Sequence, residues 1–309
     1  MTNKIAYLGP RGSFAEAALK ASGALDSGAE AVPTANVLAA LDAVRAGDVD
    51  AALVPIENSV EGSVSVTLDE LSNGKRLVII DEVVLPVEFS LLVRPGTDLA
   101  SIKNITTHPH AQAQVRRWID QNVPEAAYIP SMSTASAAES LIAEPSLFDA
   151  AVAQEIAAEI YGLEVLASGI GDNPDASTRF VLVQLPGEIP AATGADKTTL
   201  SLFMRENHPG ALMEILTEFV VRGIDLTRLE SRPTKKSLGD YYFSVDLEGH
   251  VDDLRVSEAL MGLHRVCSDV RFLGSYPRHD GREAHVRPGV TDLDFDSALI
   301  WLNKLKGKS

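Results

Sequence analysis

The sequence predicts an α/β fold in two parts: a two-lobed α/β domain over residues 1–185, then a small βαββαβ domain of the ferredoxin-like kind over 197–277. Three observations predict it. Short apolar, β-branched segments alternate with helical ones from residue 4 to about 185, the signature of α/β architecture with a largely parallel sheet. Polar clusters recur where those strands end, at residues 9–13, 57–63, 107–114, 131–134 and 172–179, and their convergence on one cleft between lobes is the simplest arrangement. Residues 186–196 then form a linker rich in Pro, Gly and Ala, and the order βαββαβ follows.

The first domain begins with a strand, Lys4 to Leu8. The turn Gly9-Pro10-Arg11-Gly12 leads to Ser13, which can cap the helix Phe14 to Lys20 with Glu16 as its capping-box partner. A strand, a Gly-rich turn and a helix N-terminus make an anion-binding arrangement, and Arg11 is the charge aimed at it or, equally, a surface residue. A helix from Val37 to Ala46 carries an apolar stripe. The strand Asp50 to Ile56 ends in the polar run Glu57-Asn58-Ser59, which exceeds what a cap needs, and Ser63 or Ser65 starts a helix to Leu71.

Leu77 to Val93 reads as one strand despite Pro86. Lys103 to Thr106 is a strand entering Thr107-His108-Pro109-His110, and the helix Ala111 to Gln121 carries Gln112 and Gln114 in its first turn. His108 and His110 have no evident acidic partner, so the sequence favours a loop over a metal site. Ser133 and Thr134 precede the helix from Ala135 to Ala143 and are caps first. Strands at Phe148 to Ala153 and Glu164 to Ala167, around a helix from Gln154 to Tyr161, lead to a Gly-Asp-Asn-Pro loop and a strand from Phe180. Thr178 and Arg179 sit where that loop enters the strand. A Thr hydroxyl and an Arg fork suit an anionic ligand, although backbone satisfaction and a surface ion pair explain them as simply.

In the second domain, strands at Thr198 to Met204, Ile224 to Ser231, Tyr241 to Glu248 and Val270 to Tyr276 flank helices at Ala211 to Arg222 and Asp253 to Leu263. Residues 278–309 are a tail ending in an amphipathic helix, Leu293 to Leu305, suited to packing or oligomer contacts.

Composition narrows the function. The 43 acidic and 27 basic residues give a net charge of −16, which argues against nucleic acid or anionic membrane as partners. One cysteine, Cys267, excludes an internal disulfide and a Cys-cluster metal site. The start Met1-Thr2-Asn3-Lys4 runs into a strand without a signal-type stretch, and no apolar run approaches ~20 residues, so a cytoplasmic protein is the expectation.

The motifs taken together resemble those of the prephenate dehydratase family with a C-terminal ACT domain. The residues that carry the resemblance are Gly9-Pro10-Arg11-Gly12-Ser13-Phe14, Pro55-Ile56-Glu57-Asn58-Ser59, Gly62-Ser63, His108-Pro109 with Gln114, Ser133-Thr134-Ala135, Thr178-Arg179-Phe180, Gly210-Ala211-Leu212 and Glu230-Ser231-Arg232-Pro233. The resemblance implies a fold like type II periplasmic binding proteins and conversion of prephenate to phenylpyruvate without metal or cofactor. It implies Thr178, Glu57 and Asn58 as catalytic residues, and Arg179, Arg11, Ser59, Thr107, Gln114, Ser133, Thr134 and Phe180 as substrate contacts. Phenylalanine is the implied effector, bound by Asn207, Pro209, Gly210, Ala211, Leu212, Glu230, Ser231, Arg232 and Pro233 between two chains of a homodimer or homotetramer. Thr107 stands where the family usually has Ser, and Met213 where it often has Val. Arogenate dehydratase and a non-catalytic ligand sensor are the competing readings. Removing everything after Gly187 is expected to leave turnover and abolish the response to phenylalanine.

Overall fold

The computed structural model describes residues 3–143, 145–235, 237 and 239–307, so Met1 and Thr2 of the expected start lie outside the described residues. The elements in chain order are β1 (Lys4–Leu8), α1 (Phe14–Ala21), β2 (Glu30–Thr34), α2 (Val37–Ala46), β3 (Ala51–Asn58), β4 (Gly62–Ser63), α3 (Ser65–Asn73), β5 (Val78–Pro86), β6 (Ser90–Val93), β7 (Asn104–Thr107), α4 (Pro109–Asn122), β8 (Ala127–Pro130), α5 (Thr134–Leu141), β9 (Ala150–Ala153), α6 (Glu155–Tyr161), β10 (Glu164–Ala167) and β11 (Ser177–Gln184). After them come β12 (Asp196–Met204), α7 (Ala211–Val220), β13 (Leu226–Pro233), β14 (Tyr241–Glu248), α8 (Leu254–Val266), β15 (Cys267–Pro277) and α9 (Asp292–Leu305).

Contacts divide the chain into two units, residues 1–67 with 83–181 and residues 68–82 with 182–309. The first unit has two lobes. One is built on the sheet of order β2-β1-β3-β11-β5, with β4 beside β3, and the other on the sheet β10-β6-β9-β7-β8. Both sheets are mixed, the first through β4, which runs antiparallel to β3. β1 runs parallel to β2 and β3 and β7 parallel to β8 and β9, whereas β6 is antiparallel to β9 and β10. This is the two-lobed α/β arrangement expected from the sequence.

Two strand assignments change. The expected continuous strand at 77–93 is two strands in different sheets, parted at Val87 to Phe89 just after Pro86, which cannot donate to a ladder. β2, which the sequence reading passes over, is a sheet edge containing Pro33, a position where proline is tolerated. Each lobe buries its own core. Leu19, Leu41, Leu53 and Val54 are fully enclosed in the first, and Val87, Phe89, Leu91, Ile105, Val115 and Val152 pack together in the second.

The second unit carries an antiparallel sheet of order β13-β14-β12-β15, the ferredoxin-like arrangement of a βαββαβ chain. Alternate residues on its strands face opposite sides. Leu200, Leu202, Phe243, Val245 and Leu247 form a core with Ile215 and Phe219 of α7 and Val256, Ala259 and Leu263 of α8. The other alternation is polar. Thr199 Oγ1 lies 2.8 Å from Asp246 Oδ1 and 2.6 Å from the Tyr276 hydroxyl, and Arg228 binds Asp246 through Nε at 2.9 Å and Nη2 at 3.0 Å.

Residues 68–82 complete this polar layer. Asp69 accepts from Arg232 Nε at 2.9 Å and from the Tyr242 hydroxyl at 3.2 Å, and Ser72 Oγ meets Ser201 Oγ at 2.7 Å. Arg271 donates to the Ser72 and Gly74 carbonyls, and Lys197 Nζ lies 2.8 Å from both Glu82 oxygens. Gly274 has φ +138°, and a Cβ there would sit 2.1 Å from the Ile79 carbonyl oxygen, so the two backbones meet where only glycine fits. The helix α9 has a capping box made by Thr291 and Asp294, and it leaves Leu293, Leu299, Ile300, Trp301 and Leu305 exposed.

Candidate active site

In the first unit a cleft of about 680 Å³ is lined from both lobes. The first lobe supplies Gly9, Ser13, Phe14, Asn58, Glu61, Gly62, Ser63, Ser65, Thr178 and Phe180, and the second supplies Phe89, His108, His110, Gln114, Met132, Ser133 and Thr134. Every polar cluster singled out in the sequence contributes a residue to that lining. Four helices start here: α1, α3, α4 and α5. Unpaired N–H groups of a first turn and the positive end of the helix dipole favour anions.

The capping hydroxyls are largely used up by the fold. Ser13 Oγ donates to the Leu8 carbonyl at 2.7 Å and accepts from Glu16 N–H at 3.3 Å. Glu16 does not close a capping box on Ser13, because its carboxylate accepts instead from Gly12 N–H at 2.6 Å and meets Lys20 at 3.1 Å. Ser133 Oγ accepts from Ser136 N–H at 2.9 Å. Thr134 also lines the cleft, at the first position of its helix.

The best-defined contact in the cleft wall joins Asn58 and Thr178. Asn58 Nδ2 donates to Thr178 Oγ1 at 2.8 Å, and Asn58 Oδ1 accepts from the N–H groups of Val60 at 2.8 Å and Glu61 at 2.9 Å. β3 and β11 are neighbours in their sheet, and Ser59 and Ser177 exchange bonds beside them, Ser59 N–H to the Ser177 carbonyl and Ser177 N–H to Ser59 Oγ, both at 2.9 Å.

Glu57 and Arg179 are not in the lining. Neighbouring residues of a strand point to opposite faces, so a strand that presents Asn58 and Thr178 to the cleft turns Glu57 and Arg179 away from it. They meet each other there, Arg179 Nε 3.4 Å from Glu57 Oε2, with Arg179 only 8% exposed. Thr107 is also outside the lining. It is fully buried, and its hydroxyl donates to the Val152 carbonyl at 2.7 Å. Arg11 is exposed beside a separate hollow shared with Pro33, Thr34, Ser136, Glu139 and Tyr161, and its carbonyl accepts from the Tyr161 hydroxyl at 2.9 Å. Ser59 is exposed and outside the lining, while Gln114, Ser133, Thr134 and Phe180 are in it.

Among the described residues the lining of this cleft holds no Arg or Lys, and its titratable residues are Glu61, His108 and His110. No local pattern in the sequence pairs Glu61 with the histidines. The fold brings Glu61 Oε2 to 3.9 Å from His110 Nδ1 across the two lobes. His108 caps α4, its Nδ1 accepting from His110 N–H at 3.3 Å, which leaves the proton of the neutral ring on Nε2. Burial, with the neighbouring His110, pushes the His108 pKa down against a smaller opposing pull from Glu61. Among the described residues no group of three or more His, Cys, Asp or Glu could hold a metal ion. Phe14 and Phe89 meet edge to face at 5.6 Å between ring centres and, with Phe180, give the cleft an aromatic wall. Gln114 Oε1 is buried and lacks a hydrogen-bond partner among the described residues.

In the second unit, Gly210 (φ +98°) caps α7, and Ala211 lines a hollow of about 220 Å³ with Arg205, His208 and Glu214. Asn207 lines a neighbouring hollow with Tyr241 and Asp240. Glu230, Ser231, Arg232 and Pro233 line neither. Arg232 is committed to Asp69 and, at 2.6 Å, to Glu230 Oε1.

A two-lobed α/β unit whose cleft is ringed by helix N-termini, followed by a ferredoxin-like βαββαβ module, defines an α/β protein with a cleft rich in N–H donors and an attached small domain. The prephenate dehydratase family model matches residues 5–187, and the ACT domain model matches residues 198–265. The chain is 48% identical to the prephenate dehydratase of Mycolicibacterium vanbaalenii, with 98% of each chain covered, and 49% identical to that of Mycobacteroides abscessus, with 97% and 96% covered. It is similar to the crystal structure of prephenate dehydratase from Arthrobacter aurescens in complex with L-Phe, at TM-score 0.93 and 50% identity, covering 98% of this chain and 99% of that one. The chain belongs to the prephenate dehydratase family, lyases of the dehydratase type, and carries an ACT domain.

Proposed function

We propose that the cleft binds prephenate and expels carbon dioxide and water from it to give phenylpyruvate, with Thr178 as the hydroxyl that assists the leaving oxygen. The observation that carries this reading is Asn58 donating to Thr178 Oγ1 at 2.8 Å in the wall of the cleft. Prephenate is a dianion with a ring hydroxyl opposite the ring carboxylate. The first turns of α1 on one lobe and of α4 and α5 on the other offer N–H donors to its carboxylates without a full positive charge beside them. A weakly solvated ring carboxylate against Phe14, Phe89 and Phe180 is easier to lose than one clamped by an ion pair.

In the reaction the bond from the ring to its carboxylate breaks and carbon dioxide leaves. The electron pair moves through the ring dienes and expels the hydroxyl from the opposite carbon as hydroxide, which takes up a proton to become water. Aromaticity drives the step, so no cofactor is called for. Thr178 is too weak an acid to be the free proton source and acts as an oriented donor to the departing oxygen. Glu61 and His110, 3.9 Å apart across the cleft, are the groups placed to supply the proton that completes the water. Gln114 Oε1 accepts from the ring hydroxyl and fixes its position.

We assign the catalytic domain to residues 1–185, the linker to 186–196, the ACT domain to 197–277 and the tail to 278–309. Phenylalanine is the effector of the ACT domain, acting by binding one state of the protein more tightly than another. Its contacts would come from Asn207, Pro209, Gly210, Ala211, Leu212, Glu230, Ser231, Arg232 and Pro233 at an interface between two chains of a homodimer or homotetramer, and the protein works in the cytoplasm. No helix among the described residues is long and apolar enough to cross a membrane. Purified protein given prephenate should release phenylpyruvate, read by its absorbance in alkali. Absence of product, or faster turnover of arogenate in a parallel assay, overturns the substrate assignment.

A further inference from the structure

We propose that Asn58 is a positioning residue that fixes which way the Thr178 hydroxyl points its proton. The inference rests on the reading of the cleft as the dehydratase site and adds a role to a residue outside the reacting atoms. Asn58 Oδ1 faces the N–H groups of Val60 and Glu61 at 2.8 and 2.9 Å. Backbone N–H groups only donate, so the amide edge turned toward them is its oxygen. The NH₂ edge is thereby turned to Thr178 Oγ1 at 2.8 Å, and an amide nitrogen cannot accept.

Thr178 is therefore the acceptor in that bond, and its own hydrogen is left for something else. Among the described residues Asn58 Nδ2 is the one hydrogen-bond partner of Thr178 Oγ1, and Thr178 lines the cleft at 9% exposure. The hydrogen goes to an oxygen of the bound substrate, where charge develops as hydroxide departs. With the opposite polarity the hydroxyl would spend its hydrogen on residue 58 and show the departing oxygen only lone pairs.

Asn58→Asp tests this. A carboxylate accepts from the same two N–H groups, so the turn is kept, but it also accepts from Thr178 and reverses the bond. The expected result at neutral pH is a fall in kcat of about 10²- to 10³-fold, the size of losing one oxyanion-type donor. KM should stay within about threefold and the far-UV circular dichroism should be unchanged. As pH falls and residue 58 protonates it becomes a donor again, so kcat of Asn58→Asp relative to wild type should recover in acid. An Asn58→Asp enzyme with wild-type kcat, or one whose loss is the same at every pH, overturns the proposal.

A double-mutant cycle covers the case in which Asn58→Asp fails to fold. Asn58→Ala should cost little further activity in a Thr178→Ala background, and losses that simply multiply overturn the proposal. Failure of wild-type protein to turn over prephenate would instead remove the dehydratase reading, so the two failures are distinguishable.

Discussion

Arg179 Nε lies 3.4 Å from Glu57 Oε2 on the face of strands β3 and β11 opposite to Asn58 and Thr178. The pair lies on the far side of the wall that carries the Asn58–Thr178 bond. Glu57→Gln removes a carboxylate that is itself 42% exposed from beside the Arg179 guanidinium, and should cost at most about 1 kcal/mol in urea unfolding. Both kcat and KM should stay within about threefold. A collapse of kcat at unchanged stability would put Glu57 in the chemistry after all.

Thr178→Ala should lower kcat by about 10²- to 10³-fold, and Thr178→Ser, which keeps the hydroxyl, should recover much of it. Steady-state kinetics on prephenate decide this, and near-full turnover by the alanine variant contradicts the role given to the hydroxyl.

His110→Gln and Glu61→Gln each remove one member of the pair that spans the cleft. His110→Gln should lower kcat on the order of 10²-fold, with KM within about threefold. Wild-type kcat in both variants places the proton source elsewhere.

Asp69 links pH to stability. Burial alone would raise its pKa, but hydrogen bonds from Arg232 and Lys235, with their charges, outweigh burial and hold it below the usual carboxylate range. A carboxyl whose folded pKa is depressed contributes stability that is present above its unfolded value of about 3.9 and lost as pH falls through the folded value. Asp69→Asn should cost about 3 kcal/mol at pH 7. The gap between the two Tm curves should close as pH drops below about 4. Parallel curves down to pH 2 would show that Asp69 does not carry this acid dependence.

Removing residues after Gly187 is a harsher change than linker composition suggests. Leu71, Leu77 and Ile79 are at most 1% exposed, and their segment is bonded to Ser201, Arg232, Tyr242 and Arg271. The shortened chain should aggregate or unfold rather than persist as an unregulated enzyme. Soluble truncated protein with wild-type kcat would show that residues 68–82 need no cover.

Much of this was legible in the sequence because it is written locally. Ser13 and Ser133 announce helix starts, Gly47 and Gly162 end helices in the left-handed region, and the apolar stripe at Val37, Leu41 and Val44 gives α2 its buried face. The feature of the site that local reading leaves out is strand parity. A strand that shows Thr178 to a ligand must hide Arg179, and this follows from pleating alone. The Glu61–His110 contact spans 49 positions and depends on how the two lobes face each other, which no local pattern encodes. The allegiance of residues 68–82 is hidden for the same reason, since Ser72 finds Ser201 across 129 positions.

That last pairing bears on any attempt to exchange regulatory modules between relatives. A donor domain grafted at the Pro-rich joint would arrive with a sheet whose polar side has been matched to someone else's Asp69, Ser72 and Glu82. A working chimera has to be cut twice, bringing the short helix-and-strand insert along with its sheet.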